Sequence, residues 1–286
     1  MCKLYRIISF PGFVNLIEKK QERYVNPVKW EDTYEGYLLR LIENANTSKE
    51  VIDFLYNTVS EKDIDVTTSN FTKLYGARWL CYGQSWSMTS ESDALWRIYS
   101  YDKMSVRIES SCKQIEDLIN SSGYSKEFEL EIRDVKYDLD GNNLLEQQCQ
   151  FIKDSKLTIE PFLHKRKAFE HENEKRVILL DKKLEIINWC SSSIFFQELK
   201  DNLKIDDLND EEVLDFLYKH FLKCQYPFGD EQLATEQFVS IPDLSSYITS
   251  VMVHPQAEPW IVSLVQTICE HNNLNFLGKS KLYDHI

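Results

Sequence analysis

Glu172-Asn173-Glu174-Lys175-Arg176-Val177-Ile178-Leu179-Leu180 runs from charge straight into an apolar block, closed by Asp181-Lys182-Lys183. The apolar run, bounded by charge at both ends, predicts a strand. Strand side chains alternate with period two, so a strand that starts a few residues early puts Glu172, Glu174 and Arg176 on one face. Two carboxylates and a guanidinium on one face suit a ligand rich in hydroxyls and charge. They equally suit an ordinary charged strand end.

Outward from this segment, helical and strand patterns alternate irregularly. Leu4 to Phe10 reads as a strand stopped by Pro11-Gly12, and Phe13 to Lys20 as an amphipathic helix with Phe13, Leu16 and Ile17 on one side. A helix pair is predicted over residues 33–60, with Thr47 or Ser48 as a cap. Strands are predicted at Arg78 to Trp86, Ser105 to Glu109, Phe128 to Tyr137, Glu185 to Trp189, Phe238 to Ile241 and Ile248 to Val253. Helices are predicted at Ala94 to Tyr99, Cys112 to Asn120, Asn142 to Asp154, Asp210 to Lys223 and Trp260 to His271. Without a regular β-α-β alternation, the expected class is α+β: a mixed, mainly antiparallel sheet flanked by helices, in a single domain over 1–286.

The 286 residues include 15 Tyr, 15 Phe and 6 Trp but only 8 Gly and 7 Pro, a composition of a packed globule rather than a disordered or collagen-like chain. The net charge of −13 disfavours a general grip on nucleic acid or acidic membranes. His164-Lys165-Arg166-Lys167 is the most basic run, and with Glu170, Glu172 and Glu174 close behind it reads as a solvated face. Seven scattered cysteines with no C-x-x-C pair point to neither a disulfide framework nor a structural zinc site. No apolar stretch approaches the ~18 residues of a membrane span. A cytoplasmic protein with no membrane partner is expected.

No metal-ligand signature, P-loop, G-x-G-x-x-G or G-x-S-x-G element is present. His220 and Cys224 lie four apart on a predicted helix, too few donors for a closed site. Cys81-Tyr82-Gly83-Gln84-Ser85-Trp86-Ser87 is more specific, because Ser85 and Ser87 share a strand face and can orient a carboxylate. The alternative is a plain strand-to-helix connection in which Ser90 caps the helix carrying Leu95 and Trp96.

Several ordered blocks then carry a resemblance. They are Leu4-Tyr5-Arg6; Pro27-Val28-Lys29-Trp30-Glu31-Asp32-Thr33-Tyr34-Glu35; Ser85-Trp86-Ser87 with Glu91 to Ser100; Lys165-Arg166 with Phe169 to Arg176; Val253-His254-Pro255; and Ser280-Lys281-Leu282-Tyr283. Together they resemble the bacterial domain-of-unknown-function 2971 family over nearly the whole chain, with Thr33 standing where that family usually has proline and Leu95 where it has methionine. This family implies no established chemistry.

A second resemblance is to ADP-ribosyltransferases of the R-S-E type, which carry an arginine on the first strand, a serine-bearing strand and a later E-x-E. In chain order this sequence offers Arg6, Ser85 or Ser87, and Glu172-x-Glu174. The resemblance implies NAD as substrate. Glu174 takes the essential carboxylate role, Glu172 orients the acceptor, Arg6 grips the cofactor, and Ser85 or Ser87 supports Glu174. Tyr5, Trp96, Tyr99 and Arg176 complete the expected cofactor contacts, and no metal is expected. A toxin or anti-phage effector acting on a protein acceptor fits this reading. Two rivals stay open. One is a non-catalytic nucleotide- or partner-binding module whose groove is lined by Tyr5, Trp30, Tyr34, Trp86, Trp96 and Tyr99. The other is a nuclease with Mg²⁺ on Glu172, Glu174 and Asp181 and Lys165 or Lys182 nearby.

Overall fold

A computed structural model describes residues 2–35, 37, 80–144, 146–147, 150, 159–184 and 235–284. The expected helix pair over 33–60, the strand Glu185 to Trp189 and the helix Asp210 to Lys223 lie almost wholly outside these residues, as does the His220/Cys224 pair. The described part is α+β, as expected, with a mixed and mostly antiparallel sheet.

The chain opens with β1 (Lys3–Ile8), α1 (Phe10–Lys19) and β2 (Gln21–Val25), followed by β3 (Cys81–Ser87), α2 (Asp93–Tyr99), β4 (Val106–Ser111) and α3 (Cys112–Ser121). After these come β5 (Phe128–Asp134), β6 (Lys136–Leu139), β7 (His164–Arg166) and β8 (Glu174–Asp181). The last elements are β9 (Glu236–Ser240), α4 (Leu244–Tyr247), β10 (Ser250–Val253), α5 (Pro259–His271) and β11 (Phe276–Lys279). Nine strands join one sheet in which β5, β8, β3, β1, β4, β10 and β11 follow one another, with β2 and β9 attached to the same edge of β3 as β1. Strands β10 and β11 pair in parallel; the other pairings in this sheet are antiparallel.

The elements start where their caps sit. Ser9 accepts the Gly12 amide ahead of α1, and Ser111 accepts the Gln114 amide ahead of α3. The cap of α2 is Ser92, whose hydroxyl accepts the Leu95 amide at 3.2 Å, rather than the expected Ser90. The expected strand Phe128 to Tyr137 is divided at Val135, whose amide leaves the ladder to bond the Glu174 carbonyl at 3.0 Å. Sequence periodicity missed β2 because its two buried positions are Glu22 and Tyr24, polar-tipped residues that do not read as an apolar alternation.

One sheet face packs against α1, α3 and α5 through Leu4, Val106, Ile108, Val177, Leu179, Phe13, Ile115 and Ile261, all at 0% exposure. Each fully buried aliphatic or aromatic side chain of this kind is worth about 1.5–3 kcal/mol, which makes this face the rigid side of the sheet. Cys2 and Cys112 meet as a disulfide beside the β1–β4 pair, with Cα atoms 5.6 Å apart. The sequence excluded a framework of bridges and did not foresee this single pair, because 110 residues separate its members.

Candidate active site

Strand β3 organises the site. One of its edges pairs with β8 along its whole length, from Cys81↔Leu180 to Ser87↔Glu174. The other edge meets β1 only at Tyr5↔Ser87 and β2 only at Val25↔Gly83. Beside the single β1–β3 contact lies a cavity of about 200 Å³. Strand β1 contributes Tyr5, Arg6 and Ile7; β3 and the turn after it contribute Ser85, Trp86, Ser87, Thr89 and Ser90. Leu95 and Tyr99 of α2, Arg107 of β4, and the carboxylates Glu172 and Glu174 complete its walls.

Residues opposed across an antiparallel pair project to the same side. The pairs Tyr5↔Ser87, Ser87↔Glu174, Ser85↔Arg176 and Ile7↔Arg107 therefore put Tyr5, Ile7, Ser85, Ser87, Arg107, Glu174 and Arg176 on one face. The pairs Arg6↔Ile108 and Gln84↔Val177 put Arg6 and Gln84 on the opposite, core-packed face.

Glu174 begins β8 and is 3% exposed. Its Oε1 accepts from Arg176 Nε at 2.7 Å, and its Oε2 lies 2.9 Å from Lys165 Nζ. Burial opposes its charge, but Arg176, Lys165 and a hydrogen bond from Ser85 outweigh burial and hold its pKa down at about 2. Glu172 is not on the strand. It ends a 3-10 turn over Lys167–Glu172, and Asn173 in the left-handed conformation (φ 43°) carries the chain into β8. The E-x-E carboxylates nevertheless meet, because Lys165 Nζ lies 2.6 Å from Glu172 Oε2 and 3.0 Å from Glu35 Oε1 as well. Burial works against the Lys165 charge, yet Glu174, Glu35 and Glu172 together raise its pKa.

Only part of the His164 to Lys167 run is the solvated face its charge suggested: Lys167 is exposed and Arg166 partly so, but Lys165 and His164 are buried. Three carboxylates repay the burial of the Lys165 ammonium, and His164 bonds Asp138 and Glu160. Arg176 is fully buried, pairs with Glu35 at 2.9 Å as well as with Glu174, donates to the Phe162 carbonyl, and lies 4.4 Å over the Trp30 ring. It holds the cluster together from behind and does not line the cavity. Three carboxylates facing two cations leave this cluster one negative charge in excess.

The remaining expected residues divide cleanly. Ser85 is exposed to the cavity and bonds Glu174. Ser87 donates to the Glu172 carbonyl at 2.6 Å and accepts the Thr89 amide at 3.0 Å, so it shapes the backbone around the site. Tyr99 is 45% exposed and donates to Glu172 Oε1 at 2.9 Å. Tyr5 lines the cavity. Trp96 is a core residue at 0% exposure, with its indole bonded to Glu91 at 3.0 Å and its ring edge-on to His254 at 5.3 Å.

Arg6 touches the cavity, but its guanidinium is committed to the core face. Its Nη2 donates to both Glu22 oxygens at 2.8 and 2.9 Å, and its guanidinium carbon lies 4.8 Å over Trp86. Glu22 also accepts from Gln84 at 2.8 Å and from Tyr247 at 2.7 Å, which fixes the Arg6–Glu22 pair in a polar network on the core face. The cavity's other arginine, Arg107, escaped notice in the sequence. The available signal was a lone cation in the otherwise apolar stretch Val106-Arg107-Ile108.

Glu35, Lys165, Glu172, Glu174 and Arg176 thus form one buried unit with the half-buried Trp30 against Arg176, although they come from two blocks more than a hundred residues apart. A third block supplies Ser85, Ser87 and Tyr99. The tail block braces α2 through His254 on Trp96, Ser280 on Glu91 and Tyr283 on Asp93. Asp181 sits at the far end of β8, seven residues from Glu174, or roughly 23 Å at the rise of a strand. Among the described residues no group of three or more His, Cys, Asp or Glu side chains is arranged to hold a metal ion, and no described helix is long and apolar enough to cross a membrane. Compared with family models, curated proteins and solved structures, the chain finds no match.

Proposed function

We propose that this protein cleaves the nicotinamide–ribose bond of NAD and transfers ADP-ribose to an acceptor. The convergence of Ser85, Glu172 and Glu174 on one cavity beside β1 carries this reading. It brings the serine-bearing strand and the E-x-E of the R-S-E resemblance together from positions almost ninety residues apart. Cleavage breaks the C1′–N bond; the neutral nicotinamide leaves with the bonding pair, and an oxocarbenium-like ribose remains. A carboxylate held ionised beside that carbon stabilises the developing charge, and Glu174, with its pKa at about 2, stays ionised at any physiological pH. Ser85 and Lys165 fix its orientation before substrate arrives, so little reorganisation accompanies the reaction. Glu172, tethered by Lys165 and Tyr99, orients the acceptor, whose heteroatom bonds C1′ and whose proton is released to water.

A toxin or anti-phage effector in the cytoplasm, acting on a protein acceptor, is the setting this chemistry suits, and the sequence blocks propose membership of the domain-of-unknown-function 2971 family. The metal-nuclease reading is less well served, since Lys165 occupies the space between Glu172 and Glu174 and Asp181 lies at the other end of the strand. Nicotinamide release from NAD, measured with cell lysate as a source of acceptors, tests the proposal. Wild type is expected to release nicotinamide and Glu174→Gln to lose at least about a hundredfold, the scale of a lost transition-state electrostatic contact. Equal rates would sink it.

A further inference from the structure

The geometry points to Arg107 as the anion-binding group of the cavity, taking a phosphate or pyrophosphate of the ligand while the ribose end faces Ser85 and Glu174. The identity of the ribose end rests on the NAD reading above; the anion site rests on Arg107 itself.

Among the described residues Arg6, Arg23, Arg97, Arg133, Arg166 and Arg176 each have a carboxylate within ion-pair distance. Arg107 has none, yet it is 4% exposed and forms part of the cavity wall. Its one protein hydrogen bond runs from Nη1 to the Ser90 carbonyl at 2.9 Å, and its Nε has no partner at all. A guanidinium carries five N–H donors in a planar fork, so most of this fork's capacity is unspent by the protein, and its Nε is shut away from water. An unpaired buried cation is costly to keep, and such a group is expected where a ligand supplies the missing charge.

The surroundings hold Arg107 in place without neutralising it. Its guanidinium carbon lies 5.0 Å from the Tyr5 ring, which backs it as a cation–π platform. The two carboxylates that favour its charge are engaged elsewhere: Glu109 with Lys3 at 2.9 Å and Ser250 at 2.7 Å, Glu91 with the Trp96 indole at 3.0 Å and Ser280. Burial outweighs both of them and lowers the Arg107 pKa, the opposite of the direction at Arg6, which Glu22 and Tyr247 raise against burial.

Polarity supports the same assignment. Arg107 and Glu174 share the pocket face of the sheet, with β1 and β3 between them. One side of the cavity carries the carboxylate cluster with its excess negative charge, and the other carries an unpaired guanidinium. That polarity suits a ligand cationic at one end and anionic at the other, as a nicotinamide nucleotide is. The volume of about 200 Å³ falls below the roughly 300–1,000 Å³ of pockets that enclose a drug-sized molecule. It suits a ribose-phosphate fragment, with the remainder of a dinucleotide outside.

Calorimetric titration at fixed salt tests this with four probes: NAD, nicotinamide mononucleotide, nicotinamide riboside and inorganic pyrophosphate. Wild type is expected to prefer the phosphate-bearing probes over the riboside. Arg107→Gln is expected to bind NAD, the mononucleotide and pyrophosphate about 10- to 100-fold more weakly, the value of hydrogen bonds to a charged group, and to leave the riboside unchanged. Arg107→Lys keeps the charge without the fork and is expected to fall between. If Arg107→Gln does not fold, the lysine variant carries the comparison. The assignment is overturned if the phosphate-bearing probes bind the variants as tightly as wild type, if the riboside weakens equally, or if wild type binds none of the phosphate-bearing probes. Pyrophosphate binding that depends on Arg107, with neither riboside binding nor nicotinamide release, upholds the anion site and removes the NAD reading.

Discussion

Lys165→Met exposes how the carboxylates of this site are kept together. The ammonium contacts Glu35 at 3.0 Å, Glu172 at 2.6 Å and Glu174 at 2.9 Å. Methionine preserves much of the volume and removes the charge, so three nearly buried carboxylates are left with Arg176, which reaches only Glu35 and Glu174. Removing one partner of a buried ion pair costs about 3–5 kcal/mol, roughly a fifth or more of the ~5–15 kcal/mol that holds a typical domain folded. The loss is expected at pH 7.5 and shrinks toward pH 5. In the variant, burial and mutual repulsion place the folded pKa of these carboxylates above the unfolded value. Their protonation therefore stabilises the fold at low pH, and that stabilisation is lost as pH rises through the folded pKa. Urea unfolding followed by tryptophan fluorescence at both pH values measures the effect, with Lys165→Met/Glu35→Gln expected to recover part of it. A loss under about 1 kcal/mol at pH 7.5, or one that does not change with pH, would refute the account of Lys165 as the keystone of the cluster.

Wild-type stability on the acid side follows from Glu174. Its pKa of about 2 lies below the ordinary value of 4.5, so its contribution is present above that value and lost as pH falls through about 2; linkage makes it about 3 kcal/mol. Glu174→Gln should flatten this limb of the stability–pH curve, and an unchanged limb would contradict the assignment. Gly83→Ala places a Cβ 2.5 Å from Trp30 Cζ2; a cost of about 1–3 kcal/mol is expected from overpacking, with a shift in tryptophan emission as Trp30 leaves Arg176. No loss of stability would mean that the ring can move aside. Alkylation of denatured, unreduced protein should leave Cys2 and Cys112 unmodified in a peptide map, and labelling of both would show that the disulfide is not formed.

Local pattern made several parts of this protein legible. The continuous apolar run Val177-Ile178-Leu179-Leu180 and its charged flanks located β8, and apolar stripes at helical spacing located α1 and α5, whereas the serine expected to cap α2 lay two residues from the actual cap, Ser92. Ser85 and Glu174 could be singled out because the chemistry needs a hydroxyl and a carboxylate on strands, and both residues lie where period-two alternation aims them at one face. Arg6 lines the cavity yet commits its guanidinium to Glu22. Its neighbour Leu4 is buried on the core face, and the same period sends Arg6 there as well; matching residue types in chain order ignored that parity. Trp96 was ambiguous for a different reason, since an aromatic on an amphipathic helix serves a core and a groove equally well.

Local sequence was enough for the α+β class and for most strand and helix positions among the described residues, and it offered Glu174 with Ser85 or Ser87 as candidates for the proposed chemistry. Each of these follows from interactions within about ten residues: backbone periodicity, caps and apolar stripes. Strand pairing across the sheet settled that Lys165 is a buried keystone rather than a surface charge, that Glu35 and Arg176 belong to the same cluster, and that Arg107 rather than Arg6 stands without a carboxylate partner at the cavity. Those outcomes depend on which strands become neighbours and in what register. A charged side chain's role is set by the partners that fold up against it, and those partners lie tens to more than a hundred residues away, beyond the reach of any local pattern.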